Sequence, residues 1–129
     1  MLRMLGVSVL VLCCAACERG GIDSYAEGVE AQNRVLMEMV AVLEGVDDEA
    51  SAEKAADRIE ALGERLGEIA AQVRAMPAPT MEEMQRISEQ QRKLGREFQH
   101  KAASQMGKLA EYESLREAWS RAMNRMAAK

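Results

Sequence analysis

Side chains that act as nucleophiles or general bases are scarce in this sequence of 129 residues. His100 is the only histidine, and its place between polar neighbours in a helical pattern predicts a surface position. The three cysteines, Cys13, Cys14 and Cys17, all lie within the first 17 residues. Because a serine or cysteine nucleophile needs a base beside it, we predict that the protein is not an enzyme. We also predict no catalytic residue, no cofactor and no metal-binding residue.

Methionine is the abundant residue type with a ligand chemistry of its own. The chain has 10 methionines, and six of them form three close pairs: Met37 and Met39, Met81 and Met84, and Met123 and Met126. Thioethers are soft ligands that suit Cu(I), so the pairs raise the hypothesis of a copper site. The favoured interpretation is that Met84, Met123 and Met126 fill the core, since methionine adapts to irregular gaps and no second histidine accompanies the pairs.

The first 16 residues have the pattern of an export signal. Arg3 supplies a positive charge, residues 5–12 are apolar, and the small residues Ala15 and Ala16 follow. The apolar stretch over 4–16 is too short to cross about 30 Å of hydrocarbon as a helix. We therefore predict a signal peptide over residues 1–16 rather than a permanent membrane span.

The segment Cys14-Ala15-Ala16-Cys17 resembles the lipobox of bacterial lipoproteins, in which two small residues precede a modified cysteine. The family usually has leucine where this chain has Cys14. The resemblance covers the first 17 residues, and it implies cleavage before Cys17 and acylation of Cys17. Two or more acyl chains hold a protein stably on a membrane, whereas one does not.

The lipobox also implies a location. By the habit of the family, Glu18 in place of aspartate indicates the outer membrane, with the protein facing the periplasm. Residues 17–22 then form the lipidated cysteine and a short tether, to which Gly20 and Gly21 give flexibility. The alternative is an ordinary secretory signal cut after Ala16, which would release the protein without a lipid anchor.

Composition indicates one small helical domain that carries a negative charge. Aromatic residues make up 3% of the chain and the formal net charge is −4. Few aromatic residues and no β-branched runs disfavour strands, whereas Ala, Glu, Leu, Arg and Met favour helices. A net negative charge argues against nucleic acid as a partner, since phosphate contacts need a basic surface.

Apolar residues recur every three or four positions from residue 23 onward, which predicts amphipathic helices. Ser24 and Glu27 predict the start of the first helix, and Gly45 its end. The second helix has two stripes, one of large residues that include Leu66 and one of small residues. The width of the two stripes predicts two neighbouring helices. The small residues are Ala56, Gly63, Gly67 and Ala70.

Pro77 and Pro79 predict a break before a third helix that begins after Thr80. The third helix could run unbroken to the end of the chain. It could also bend near Gly107, so that its last segment packs back as a fourth helix. The predicted fold is thus an all-α antiparallel bundle over residues 23–129, with three helices, or four if the third breaks near Gly107.

Charged ridges on the second and third helices predict either ion pairs between them or plain solvation, and exposed pairs of this kind stabilise little. The second helix carries Glu53, Asp57, Glu60, Glu64 and Glu68. The third carries Arg86, Lys93, Arg96 and Lys101.

The function that these patterns favour is that of a non-catalytic envelope lipoprotein with a structural or protein-interaction domain. Its partners would be membrane lipid, through acylated Cys17, and an envelope protein or a second copy of the chain. If the third helix is unbroken, Leu115, Trp119 and Met123 form an exposed apolar surface, and they are the predicted partner-binding residues. The alternative function is binding of a small ligand or Cu(I) in the periplasm.

Overall fold

The computed structural model describes residues 22–127, and these form five helices without a strand. The predicted signal peptide, Cys17 and most of the tether lie outside the described residues. The helices are α1 (Tyr25–Glu44), α2 (Glu49–Ala75), α3 (Met81–Gln105), α4 (Gly107–Glu111) and α5 (Glu113–Ala127). The prediction of an all-α bundle is confirmed.

Side-chain caps begin the three long helices, and those of the first and third lie where the sequence predicted. The Ser24 hydroxyl accepts a hydrogen bond from the Glu27 N–H and starts α1. At the start of α2, the Asp48 carboxylate accepts from the Ser51 N–H at 2.7 Å, and the Ser51 hydroxyl accepts from the Asp48 N–H in return. Thr80 caps α3 through the Glu83 N–H. Each cap satisfies a backbone donor that has no partner within the helix.

The chain bends between α3 and α5, so the alternative of an unbroken third helix is wrong. α4 begins at Gly107, and Tyr112 then takes an extended conformation with φ −115° and ψ 114°. An extended residue interrupts the helical hydrogen-bond ladder and redirects the chain. The last segment therefore packs back on the bundle as α5, as the four-helix alternative predicted.

The helices pack in the order α3, α1, α2, α5. α1 lies between α2 and α3, while α2 lies between α1 and α5. On facing surfaces Gly63 lies opposite Ala122 and Gly67 opposite Arg125, so α2 and α5 run parallel. α1 and α3 are also parallel, because Val73 near the end of α2 lies beside Gly28 near the start of α1, and Lys108 just after α3 contacts the carbonyl oxygens at the end of α1. Neighbours in the chain thus alternate in direction, as in an up-and-down bundle.

The core lies around α2 and contains no buried polar or charged side chain among the described residues. Ten residues of α2 are buried, and four of α5. α3 has 25 residues, of which Ala102 alone is buried. The largest side chains with almost no exposed surface are Met39, Leu43, Ile59, Leu66, Leu115, Val35 and Val40.

The small residues of α2 allow α5 to approach closely. A Cβ added at Gly63 would lie 2.7 Å from the Ala122 Cβ and 2.9 Å from its Cα. A Cβ at Gly67 would lie 3.4 Å from the Cβ of Arg125. The second neighbour that the two stripes predicted for this helix is therefore α5.

Candidate functional site

The predicted partner-binding residues belong to the contact between α2 and α5. Leu115 has no exposed surface, Trp119 is 9% exposed, and Met123 is partly buried against the core. The prediction of an exposed apolar surface at these residues assumed an unbroken third helix, and it is corrected by the bend before α5. A partner could reach Leu115 or Trp119 only by displacing α5 from α2.

The acidic ridge of α2 also faces α5, rather than the basic residues of α3. The Arg121 side chain donates a hydrogen bond to the Glu60 carboxylate. The Arg125 guanidinium lies 3.9 Å from the Glu64 carboxylate. On α3, Arg86 instead pairs with Glu82 one turn earlier, at 3.2 Å. Of the two alternatives for these charged ridges, ion pairs between the second and third helices are therefore wrong, because α3 packs on α1.

An open apolar groove lies between α1 and α3 and is here called the α1–α3 groove. Its volume is about 560 Å³, within the range of small-molecule and peptide sites. Met37, Ala41 and Leu94 supply its apolar side chains. Three carboxylates and three cationic groups surround these side chains, so the rim has no net charge. The rim residues are Glu30, Arg34, Glu38, Lys93, Glu97 and Lys101.

A smaller cavity of about 130 Å³ lies along the same seam and shares Asn33, Met37 and Leu94 with the groove. Gly95 faces this seam, and a Cβ added there would meet nothing within 4 Å. The Asn33 Nδ2 is buried but donates no hydrogen bond. Because buried donors are normally paired, an unpaired amide at a loosely filled seam indicates a place where a ligand or partner acceptor would be favoured.

Sequence reasoning missed this seam as a site. Leu94 and Phe98 follow the apolar spacing of the third helix. That spacing predicts a buried helix face rather than an open one. Met37 lies off the main stripe of α1. The available signal was the low apolar content of α3, which has glutamine, arginine and lysine at most positions between its apolar residues.

The end of the bundle opposite the proline segment is held by Lys108. Its Nζ donates to the Leu43 carbonyl oxygen at 2.7 Å and to that of Glu44 at 3.4 Å. A cation on the unpaired carbonyls at the end of α1 is favourable, since these carry the negative end of the helix dipole. This contact attaches α4 to α1 and closes the bundle where α3 turns toward α5.

Two ionisable groups at this same end are perturbed. The Ser51 N–H, more than any other group, holds the pKa of Asp48 below its ordinary value of 3.8. Burial, and then the negative charge of Glu111, raise the pKa of Tyr112 above its ordinary value of 10.0. Both effects follow from the cap and the chain bend, and neither group faces the α1–α3 groove.

The described residues hold no cluster of three or more His, Cys, Asp or Glu side chains that could bind a metal ion. The paired methionines differ in their surroundings. Met39 is fully buried, Met37 borders the α1–α3 groove, and Met81 and Met84 are exposed. His100 is on the surface.

Within residues 22–127, every helix is too short or too polar to span a bilayer. Comparison of the chain with protein-family models, with curated proteins and with solved structures gives no match. The α1–α3 groove is the candidate functional site because it combines an open apolar surface with a buried, unpaired amide at the same seam.

Proposed function

We propose that this chain is a lipoprotein of the bacterial cell envelope, whose acylated Cys17 anchors a non-catalytic helical domain to the outer membrane, facing the periplasm. We further propose that the domain binds an amphipathic helix of another envelope protein in the α1–α3 groove. The observation that carries the binding proposal is the open side of α3, a helix of 25 residues with one buried residue.

The chemistry of the groove favours a helix as its occupant. The groove follows about three turns of two parallel helices, from Glu30 to Ala41 and from Gln90 to Lys101. An elongated groove between helices accepts the apolar face of a third helix, with side chains spaced by three or four residues as anchors. Met37 and Leu94 offer flexible apolar contacts. The mixed charges of the rim favour a partner that carries both signs.

The lipid anchor is tested by substituting two cysteines that lie three positions apart, Cys17 and Cys14. Palmitate labelling and mass spectrometry of the mature N-terminus should find acyl chains on the protein as it exists. Cys17→Ala should abolish labelling and leave uncleaved precursor, whereas Cys14→Leu should be labelled and cleaved normally. Acylation that survives Cys17→Ala, or a mature chain that begins with an unmodified Cys17, would contradict the lipoprotein proposal.

The groove is tested by photo-cross-linking in cells. A photoreactive residue in place of Leu94 should capture a defined partner protein, whereas the same residue in place of Met106, exposed but outside the groove, should not. In a second experiment the photoreactive residue replaces Lys101. Leu94→Glu should then remove capture of the partner at position 101. Equal capture at positions 94 and 106, or no capture at position 94, would contradict partner binding in the α1–α3 groove.

A second candidate is binding of a small apolar molecule at the same seam, or of Cu(I) elsewhere in the domain. The unpaired Asn33 Nδ2 favours a ligand with a hydrogen-bond acceptor. Native mass spectrometry of the protein from cells should then find a bound small molecule that Asn33→Leu removes. Titration with Cu(I) under reducing conditions tests the metal separately, and an absence of micromolar binding would exclude it.

A further inference from the structure

The largest exposed apolar side chains lie where the proline segment joins α3. Met81 is 78% exposed and Met84 is 52% exposed, and Pro77 beside them is also exposed. Methionines placed on the surface in this way are costly in water unless they meet another apolar phase. We call Pro77, Met81 and Met84 the methionine edge.

The methionine edge lies at the same end of the bundle as the beginning of the described chain. Ile22 packs beside Gly28 and Val73, one turn before the end of α2. α2 ends at Ala75, and α3 begins only six residues later at Met81. Met81 and Met84 therefore lie at the end of the bundle where Val73 meets the first turn of α1.

A short chain separates this end from Cys17. The five steps along the chain from Cys17 to Ile22 reach at most about 18 Å, since an extended chain spans at most ~3.6 Å per residue. An acylated Cys17 would therefore keep this end of the bundle near the lipid surface. The opposite end, marked by the exposed Met106, lies roughly 38 Å further along α3 at 1.5 Å per residue.

We propose that the methionine edge is a lipid-contacting surface, which seats the bundle on the bilayer that holds its acyl chains. This inference rests on the proposed lipid anchor. Pro77 and the two thioether side chains enter the headgroup region. The axes of the three long helices then extend away from the membrane. Arg86 pairs with Glu82 beside the edge, and Glu83 lies between Met81 and Met84, so the edge has no positive charge in excess for anionic headgroups and its contact is apolar.

The test uses a polarity-sensitive fluorophore on a single introduced thiol. All three cysteines lie in the first 17 residues, and acylation occupies the sulfur of the one that remains after cleavage. Met81→Cys and the control Met106→Cys are each made in the lipidated protein and labelled. Both are reconstituted into vesicles in which phosphatidylethanolamine predominates. We expect a blue-shifted emission at position 81, with several-fold stronger quenching by a lipid-borne quencher than at position 106.

Flotation of the same vesicles separates this inference from the anchor. Protein that floats with the lipid while position 81 reports the same aqueous surroundings as position 106 overturns the methionine edge alone. Protein that does not float overturns both. A blue shift at position 81 that grows with the protein-to-lipid ratio would assign the edge to a second copy of the chain and overturn the lipid contact.

Discussion

Gly63 and Gly95 both lie inside long helices, but their surroundings are opposite. Gly63 of α2 meets the backbone of α5, whereas the space beside Gly95 of α3 is open. Glycine inside a helix costs about 1 kcal/mol against alanine. At Gly63 that cost is offset by the close contact of two helices, and at Gly95 nothing in the described packing offsets it.

Alanine at these two glycines should therefore change stability in opposite directions. Gly63→Ala should lower the free energy of unfolding by about 1–3 kcal/mol, because the new methyl group overlaps Ala122, whose Cα cannot rotate away. Gly95→Ala should raise it by up to about 1 kcal/mol. Urea denaturation followed by circular dichroism measures both. A stabilising Gly63→Ala would show that α5 does not pack on α2 at this distance.

An N-terminal cap affects the stability of its whole helix. The cap of α2 also makes the stability of the protein depend on pH. The Ser51 N–H lowers the pKa of Asp48 in the folded protein. The folded state therefore binds that proton less tightly than the unfolded state does. The stabilisation is present above the ordinary carboxyl pKa of 3.8 and is lost as the pH falls through the lower, folded-state pKa.

Asp48→Asn separates this charge effect from the cap itself. Asparagine also caps helices, so the variant should fold normally at neutral pH. Its melting temperature should fall less than that of the natural chain as the pH is lowered below about 4, where a protonated Asp48 would be a weaker acceptor. Asp48→Ala should lower the melting temperature at every pH above that range. Identical acid profiles for the natural chain and Asp48→Asn would contradict the role of the carboxylate.

At the scale of the helices, the sequence predicts boundaries better than partners. Ser24, Thr80 and the two prolines act through local hydrogen bonds and backbone geometry, so their effect can be read from neighbouring residues. The side on which α3 packs depends on contacts between distant segments. An amphipathic stripe shows that a helix has an apolar face and does not show which helix covers it.

The same limit explains why the candidate site was not found from the sequence. Gly107 is a weak helix breaker, and the bend also requires the extended Tyr112, which no local pattern announces. Once the chain bends there, Leu115 and Trp119 enter the core and cease to be a surface. The open apolar seam then lies between α1 and α3, where the sequence predicted Leu94 and Phe98 as part of a buried face.

The molecule as a whole is uneven in how firmly its helices are held. α2 is surrounded by α1 and α5 and contributes ten buried residues, whereas α3 contacts α1 on one side and contributes one. Local opening costs less where fewer apolar contacts are broken. An interaction surface on α3 is consistent with this arrangement, since a partner in the α1–α3 groove would supply the contacts that the chain itself lacks.

Hydrogen exchange of the backbone amides should therefore show that α3 is the least protected of the three long helices, α1, α2 and α3. Residues 84–98 of α3 should exchange well before residues 55–70 of α2, which should open only with global unfolding. The partner captured at Leu94 should slow exchange in α3 and leave α2 unchanged, because the groove is formed by α1 and α3 and α2 gains no contacts. Leu94→Glu provides the control, since it should remove that protection. Equal protection of α2 and α3 in the free protein would mean that α3 is held by more than the groove contacts described, and the groove would then lose its physical basis as a binding surface.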